Sequence, residues 1–322
     1  MVVLWLGGCS GRAEAAPPLE LADVYRATYQ DTLIDVARRF DLGYVELVAA
    51  NPGVDPWLPG EGRRIVLPTR HLAPAAAHRG IVINTADQRL YYYPSAGAAE
   101  PLSYPIGIGR QGWETPKGPT MVVAKREHPA WYPPASIREE KPELPMMIPP
   151  GPDNPLGDFA LYLGLPGYLL HGTNKPYGVG RRVSHGCFRL YPEDISRLFP
   201  EVAIGTPVLV VDQPVKLGWF EGELYLEVHP QGSQIDEVEA TGSFTPRPLP
   251  DLDEVLRRAA GSEQDRLDWS SIAEVAAQRR GIPTRISVPK LDTELQSRQQ
   301  LPTRDAMPNR QLLAIQPVHP HG

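Results

Sequence analysis

Residues 184–190 read SHGCFRL and carry Cys187, one of two cysteines in 322 residues. Upstream, the apolar run Tyr168-Leu169-Leu170 ends in the segment HGTN, residues 171–174, whose first residue is His171. A thiol attacks as its thiolate, so a catalytic cysteine needs a base or a cation that draws its pKa below about 8.5. Two histidines are candidates: His185, two residues away, and His171, sixteen residues back. If the stretch is extended, His185, Cys187 and Arg189 share a face; if the chain turns at Gly186, they need not. Gly186 permits such a turn and brings amide N–H groups towards a reacting carbonyl, as an oxyanion hole requires. A lone cysteine in apolar surroundings is equally a small core residue. Spacing alone leaves nucleophile and core cysteine both open.

Outward from this stretch the pattern is one of short strands. IVINTADQRLYYY (81–93) alternates and turns at Thr85 to Gln88, a hairpin; YPIGIGR, GPTMVVAKRE, ALYLGL and GYLLHG follow, bounded by Gly and Pro. After SHGCFRL, Pro192 suits the first position of a helix whose apolar face is ISRLF, and GTPVLVVD (205–212) reads as a closing buried strand. The fold class is a mostly β domain, a sandwich or barrel. Between His128 and Asp158 lie nine prolines in 31 residues with Trp131, Tyr132, Met146 and Met147 among them. A segment of that length in a compact domain is a lid, a binding element or a disordered insertion; its aromatic and apolar residues favour a lid, a wall or flap over a cleft.

Residues 21–69 read as a strand, two helices and a strand: VYRATY, a helix TLIDVARRF capped by Asp31, a helix GYVELVAAN ended by Asn51-Pro52-Gly53, and RRIVLPT. HLAPAAAHR reads as a linker, assigned to 70–79. Residues 213–290 form a small α+β extension, with strands around LGWF and LYLEV and helices DEVLRRAA and SSIAEVAAQRR, the second opened by a capping box from Ser271 to Glu274. The polar, proline-punctuated tail 291–322 reads as disordered.

A net charge of -6 with scattered Lys and Arg gives no footprint for nucleic acid. Cys9 and Cys187 are too few for a disulfide framework, and no stretch reaches the roughly 20 apolar residues of a membrane span. The opening MVVLWLGGCS resembles a bacterial lipoprotein signal, in which small residues precede a cysteine that is lipidated. That resemblance assigns 1–20 to a signal and mature N-terminus, and implies membrane contact through lipidated Cys9 and a periplasmic location.

HGTN followed by SHGCFR, with its histidines fourteen apart, resembles the signature of the L,D-transpeptidase catalytic domain of the YkuD type: a His-Gly, then Ser/Thr-His-Gly-Cys, with Arg or Asn two residues on. The likeness covers 80–212. The first unit resembles a LysM glycan-binding module at Asp31-Thr32-Leu33, Ala37, Asn51-Pro52, Leu58-Pro59-Gly60 and Ile65-Val66-Leu67-Pro68. The order of units is similar to that of enterobacterial L,D-transpeptidases that attach an outer-membrane lipoprotein to peptidoglycan. The resemblance implies that Cys187 attacks the carbonyl between the third and fourth residues of a peptidoglycan tetrapeptide stem, releases D-Ala and forms a thioester. An amine then accepts the acyl group, giving a 3-3 crosslink or an anchored protein. It implies His171 as the base, its ring held by a backbone carbonyl near Gly172. Ser184, His185 and Arg189 become support residues, and the N–H groups of Gly186 and Cys187 the oxyanion donors. Neither cofactor nor metal is implied. Partners are stem peptides, glycan strands and an anchored lipoprotein. Two other readings compete: a zinc peptidoglycan hydrolase using His171, His185 and Cys187 as ligands, and a noncatalytic peptidoglycan-binding protein.

Overall fold

The computed structural model describes Val3–Leu4, 22–96, 98 and 100–289. Cys9, the rest of the signal stretch apart from Val3–Leu4, and the tail 291–322 lie outside the described residues. The chain divides into two units, Met1–Val288 and Pro289–Gly322, and every element of the fold belongs to the first.

Eight strands form one mixed sheet in the order Phe188–Arg189, Leu169–His171, Phe159–Leu163, Gly118–Glu127, Pro207–Val211, Gly80–Asn84, Arg89–Tyr93 and Leu102–Pro105. Of the sandwich or barrel expected, the strands form a single sheet. Twist accumulated over eight strands curls such a sheet on itself, and here the edges meet. Gly107, just past one edge strand, exchanges backbone hydrogen bonds of 2.8 and 2.9 Å with Arg189 of the other. Tyr104 and Ile106 from the first edge, Phe188 from the second, and Ile195 and Leu198 of the helix Pro192–Glu201 consequently share one buried core.

The N-terminal unit pairs Asp23–Arg26 antiparallel with Arg64–Leu67 around the helices Leu33–Arg39 and Tyr44–Ala50. Thr32, rather than the expected Asp31, caps the first helix, accepting from Asp35 N–H at 3.2 Å. Asp31 turns back instead, accepting from Thr28 N–H at 2.7 Å and the Tyr25 hydroxyl at 2.6 Å. All seven residues of Tyr44–Ala50 are buried. A helix that short is marginal in water by itself, and two neighbours hold it: the Gly180 carbonyl accepts from Val45 N–H at 3.0 Å, and Ile235 and Val238 of the helix Ser233–Thr241 enter the same core. Sequence reading missed that helix, whose SQIDEVEAT has a weak apolar stripe.

The C-terminal strands Val215–Phe220, Glu223–Val228 and Thr284–Arg285 form a three-stranded sheet covered by Leu252–Ala260 and Trp269–Gln278. Asp268, not the Ser271 capping box, opens the last helix, accepting from Ser270 and Ser271 N–H at 3.0 and 3.1 Å. An aspartate one residue before the helix reaches two orphan donors at once, which a serine inside the first turn does not.

A buried chain of charges joins these parts. Arg89 of the large sheet meets Glu46 of the second helix at 2.7 Å, Glu46 faces His71 at 3.2 Å, and Glu227 of the C-terminal sheet accepts from Leu72 N–H at 2.5 Å. Lys216 completes it, 2.7 Å from both Asp87 and Glu227. The stretch read as a linker thus contributes His71 and Leu72 to the interior. Among the described residues, Asp87, Glu227 and His229 are the one group of three able to converge on a cation, and the Lys216 ammonium already lies between the two carboxylates.

Candidate active site

His171 ends Leu169–His171, one of the two strands at one edge of the sheet, and Cys187 immediately precedes the other, Phe188–Arg189. These run parallel, with Leu170 opposite Phe188 and His171 opposite Arg189. Leu170 and Phe188 are fully buried in the core, so alternation sends Cys187, Arg189 and His171 to the opposite face. Here the tertiary pairing brings together residues sixteen apart in sequence.

Gly186 makes the turn that presents the thiol. Its φ is +100°, and a Cβ there would lie 2.7 Å from Tyr168 Cε1, so both conformation and space demand glycine. Ser184, buried beneath the turn, donates to Cys187 O at 2.6 Å and accepts from Gly186 N–H at 3.1 Å. That second bond corrects one expectation: the Gly186 N–H is engaged by Ser184 rather than aimed at the cleft. The Cys187 N–H has no acceptor among the described residues and remains the one donor of the expected pair.

The electrostatics also differ from expectation. Burial pushes the half-buried Cys187 thiol up from its ordinary value, outweighing the pull of Leu169 N–H and Arg189. His171 is 4% exposed, and burial, with the Arg189 charge, lowers it to about 4. At neutral pH both partners are uncharged. Nδ1 of His171 lies 2.5 Å from Gly172 O, so Nδ1 carries the proton and Nε2 is left to accept one. Arg189 has no carboxylate partner among the described residues, and burial lowers its pKa.

Cys187 lines a cavity of about 390 Å³ walled by Trp113, Trp131, Tyr132, Ile137, Tyr168 and His185. Three of these walls belong to the proline-rich segment. That segment is closed at its base by a 2.7 Å bond from His128 N–H to Asp158 O, and pinned across its middle by paired 2.8 Å bonds between Trp131 and Ile148. Its short helix Ala135–Glu140 delivers Glu140, whose Oε2 is 3.0 Å from His185 Nε2. Arg110 contacts both, at 3.1 Å from His185 Nε2 and 2.5 Å from Glu140 Oε1. His185 is thus tied to the rim while His171 turns to its own backbone, and the two do not converge with Cys187 as a ligand set. Sequence reading missed Arg110, Trp113, Glu140 and Tyr168, since each reaches the site through tertiary contacts and sits in no motif.

A histidine at the end of one strand of a curled sheet, and a thiol just before its parallel neighbour that lines an aromatic-walled cleft, make up the site. A family model described as the L,D-transpeptidase catalytic domain matches residues 78–210. A probable L,D-transpeptidase, ErfK/SrfK of Salmonella typhimurium, is 42% identical over 258 residues, 78% of this chain and 81% of its own length. YbiS of Escherichia coli, another probable L,D-transpeptidase, is 36% identical over 309 residues, 88% of this chain and 95% of its own. The chain belongs to the L,D-transpeptidase family.

Proposed function

We propose that this chain is a cysteine L,D-transpeptidase acting on peptidoglycan stem peptides. The observation that carries the reading is the parallel pairing that sets His171 opposite Arg189, with Cys187 immediately before that strand and lining the aromatic-walled cavity. His171 Nε2 takes the thiol proton as sulfur attacks the carbonyl between the third and fourth residues of a tetrapeptide stem. The C–N bond breaks, the proton passes to the leaving amine, D-Ala departs and a thioester remains. An acceptor amine then attacks the thioester, losing its proton to His171 and regenerating the thiol. The acceptor is another stem peptide or the C-terminal lysine of an anchored protein. The Cys187 N–H meets the developing oxyanion, and the Arg189 guanidinium, without a carboxylate partner among the described residues, suits a carboxylate on the donor stem.

The N-terminal unit is read as a LysM-like glycan binder. Tyr29 and Trp57 are 84% and 58% exposed on two loops that a 2.8 Å bond from Leu33 N–H to Pro56 O ties together, a surface suited to stacking on sugar rings. Lipidation of Cys9 would hold the protein at a membrane in the periplasm, and labelled palmitate entering wild type but not Cys9→Ala tests this.

The decisive experiment incubates wild type and Cys187→Ala with disaccharide tetrapeptide and follows products by mass spectrometry. Crosslinked dimer, or release of D-Ala with acyl transfer, from wild type alone is the expected result. No stoichiometric mass shift on exposure of wild type to a carbapenem, with no turnover of stem peptide, would leave only a binding protein.

A further inference from the structure

The proline-rich segment meets His171 through its backbone, and one side chain organises that contact. Asn154 is fully buried. Its Nδ2 donates to Pro129 O at 2.7 Å and Pro149 O at 3.1 Å, with Ile148 O at 3.4 Å, while its Oδ1 accepts from Leu156 N–H at 2.9 Å. One amide thus knots the start, the middle and the end of a segment whose many prolines deprive it of N–H donors.

The residues just after Asn154 rest on the catalytic strand. The Leu156 side chain lines the thiol's cavity, and its carbonyl lies beside Gly172, 3.4 Å from where a Cβ would stand. That carbonyl and Gly172 O are the two backbone groups that bond to the His171 ring. Gly157, at φ +63°, lets the chain press in, since a Cβ there would lie 2.9 Å from Thr173 N. On the far side of this partition is a second cavity, of about 340 Å³, lined by Asn154, Gly157, Gly172 and Thr173. Leu156 lines the thiol's cavity and Gly157 the second one, so these two residues stand between the two spaces, each large enough for water.

We propose that Asn154 is a positioning residue for His171: by fixing Leu156-Gly157 against Gly172-Thr173 it sets the ring's tautomer and keeps water from it. This rests on the reading of His171 as the base. The charge that acts on the ring is that of Arg189, opposite His171 on the parallel strand, while the proline-rich segment brings the Leu156 carbonyl. Loosening the knot therefore acts on hydration and orientation, with no charge removed.

The test measures carbapenem acylation of the full chain against pH, by intact mass, for wild type, Asn154→Ala and Gly157→Ala. Gly157→Ala moves the same contact without touching the amide knot, and the folded fraction of each variant is matched by near-ultraviolet circular dichroism. Both variants are expected to acylate about 10–100-fold more slowly. Their acid limb is expected to rise from near 4 towards the ordinary histidine value of about 6.5, because a hydrated imidazole takes up a proton more readily. An unchanged acid limb in folded variants, with any loss confined to KM, overturns the proposal. If wild type itself is not acylated, the reading of the site fails and this inference with it.

Discussion

The uncharged state of Cys187 and His171 makes a prediction that a preformed ion pair would not. The thiol lies above its ordinary value of 9.0 and the imidazole at about 4. Forming thiolate and imidazolium together at neutral pH therefore spans at least about five pH units, or about 7 kcal/mol before their mutual attraction is counted. Attraction at contact recovers several kcal/mol of this, which leaves the neutral pair as the ground state. Alkylation of Cys187 by iodoacetamide, followed by intact mass from pH 5 to 10, should then rise continuously with pH and show no plateau below 8. The carbapenem should behave differently, because the proton leaves the thiol as sulfur attacks. Its acylation rate should be nearly flat above about pH 5, with an acid limb near the His171 value of about 4. An iodoacetamide rate that is high and flat between pH 5 and 8 would mean a standing thiolate, and would refute the argument from burial.

Gly186→Ala forces a residue with a side chain to φ +100° against the Tyr168 ring; it should cost about 1–3 kcal/mol in denaturant unfolding and slow carbapenem acylation by about 100-fold. Asp194 is buried with neither carboxylate oxygen hydrogen-bonded, and burial, with Asp41 nearby, raises it from 3.8 to about 7. The unfolded chain ionises first as pH rises, so this group's contribution is lost between about pH 4 and 7. Asp194→Asn should match wild type at pH 4 and exceed it by roughly 2–4 kcal/mol at pH 8 in urea titrations. Lys216→Met leaves Asp87 and Glu227 buried and facing each other; a loss of about 3–5 kcal/mol, or roughly 10 °C in melting temperature, is expected by calorimetry, and a melting temperature within about 2 °C of wild type would show that the network contributes little.

The sequence by itself determined what is local. Residue type and spacing identified the SHGCFRL motif, the strands on either side of it, the helix opened by Pro192 and the strand-helix-helix-strand order of 21–69, because periodicity and turn chemistry act over a few residues. Where two local signals competed, as at Asp31 against Thr32 and Ser271 against Asp268, the geometry of the helix start decided. Spacing could not choose between nucleophile and core cysteine, nor between two histidines. The family resemblance favoured Cys187 and His171, and the structure adds the parallel register that sets His171 opposite Arg189 and the 2.5 Å contact of its ring with Gly172 O. The curl of the sheet, closed between Gly107 and Arg189, likewise depends on accumulated twist and not on any one segment. Tertiary structure alone decided the protonation of the pair, since burial raises the thiol and lowers the imidazole. The physical reason is that desolvation belongs to the assembled environment, and no count along the chain contains it.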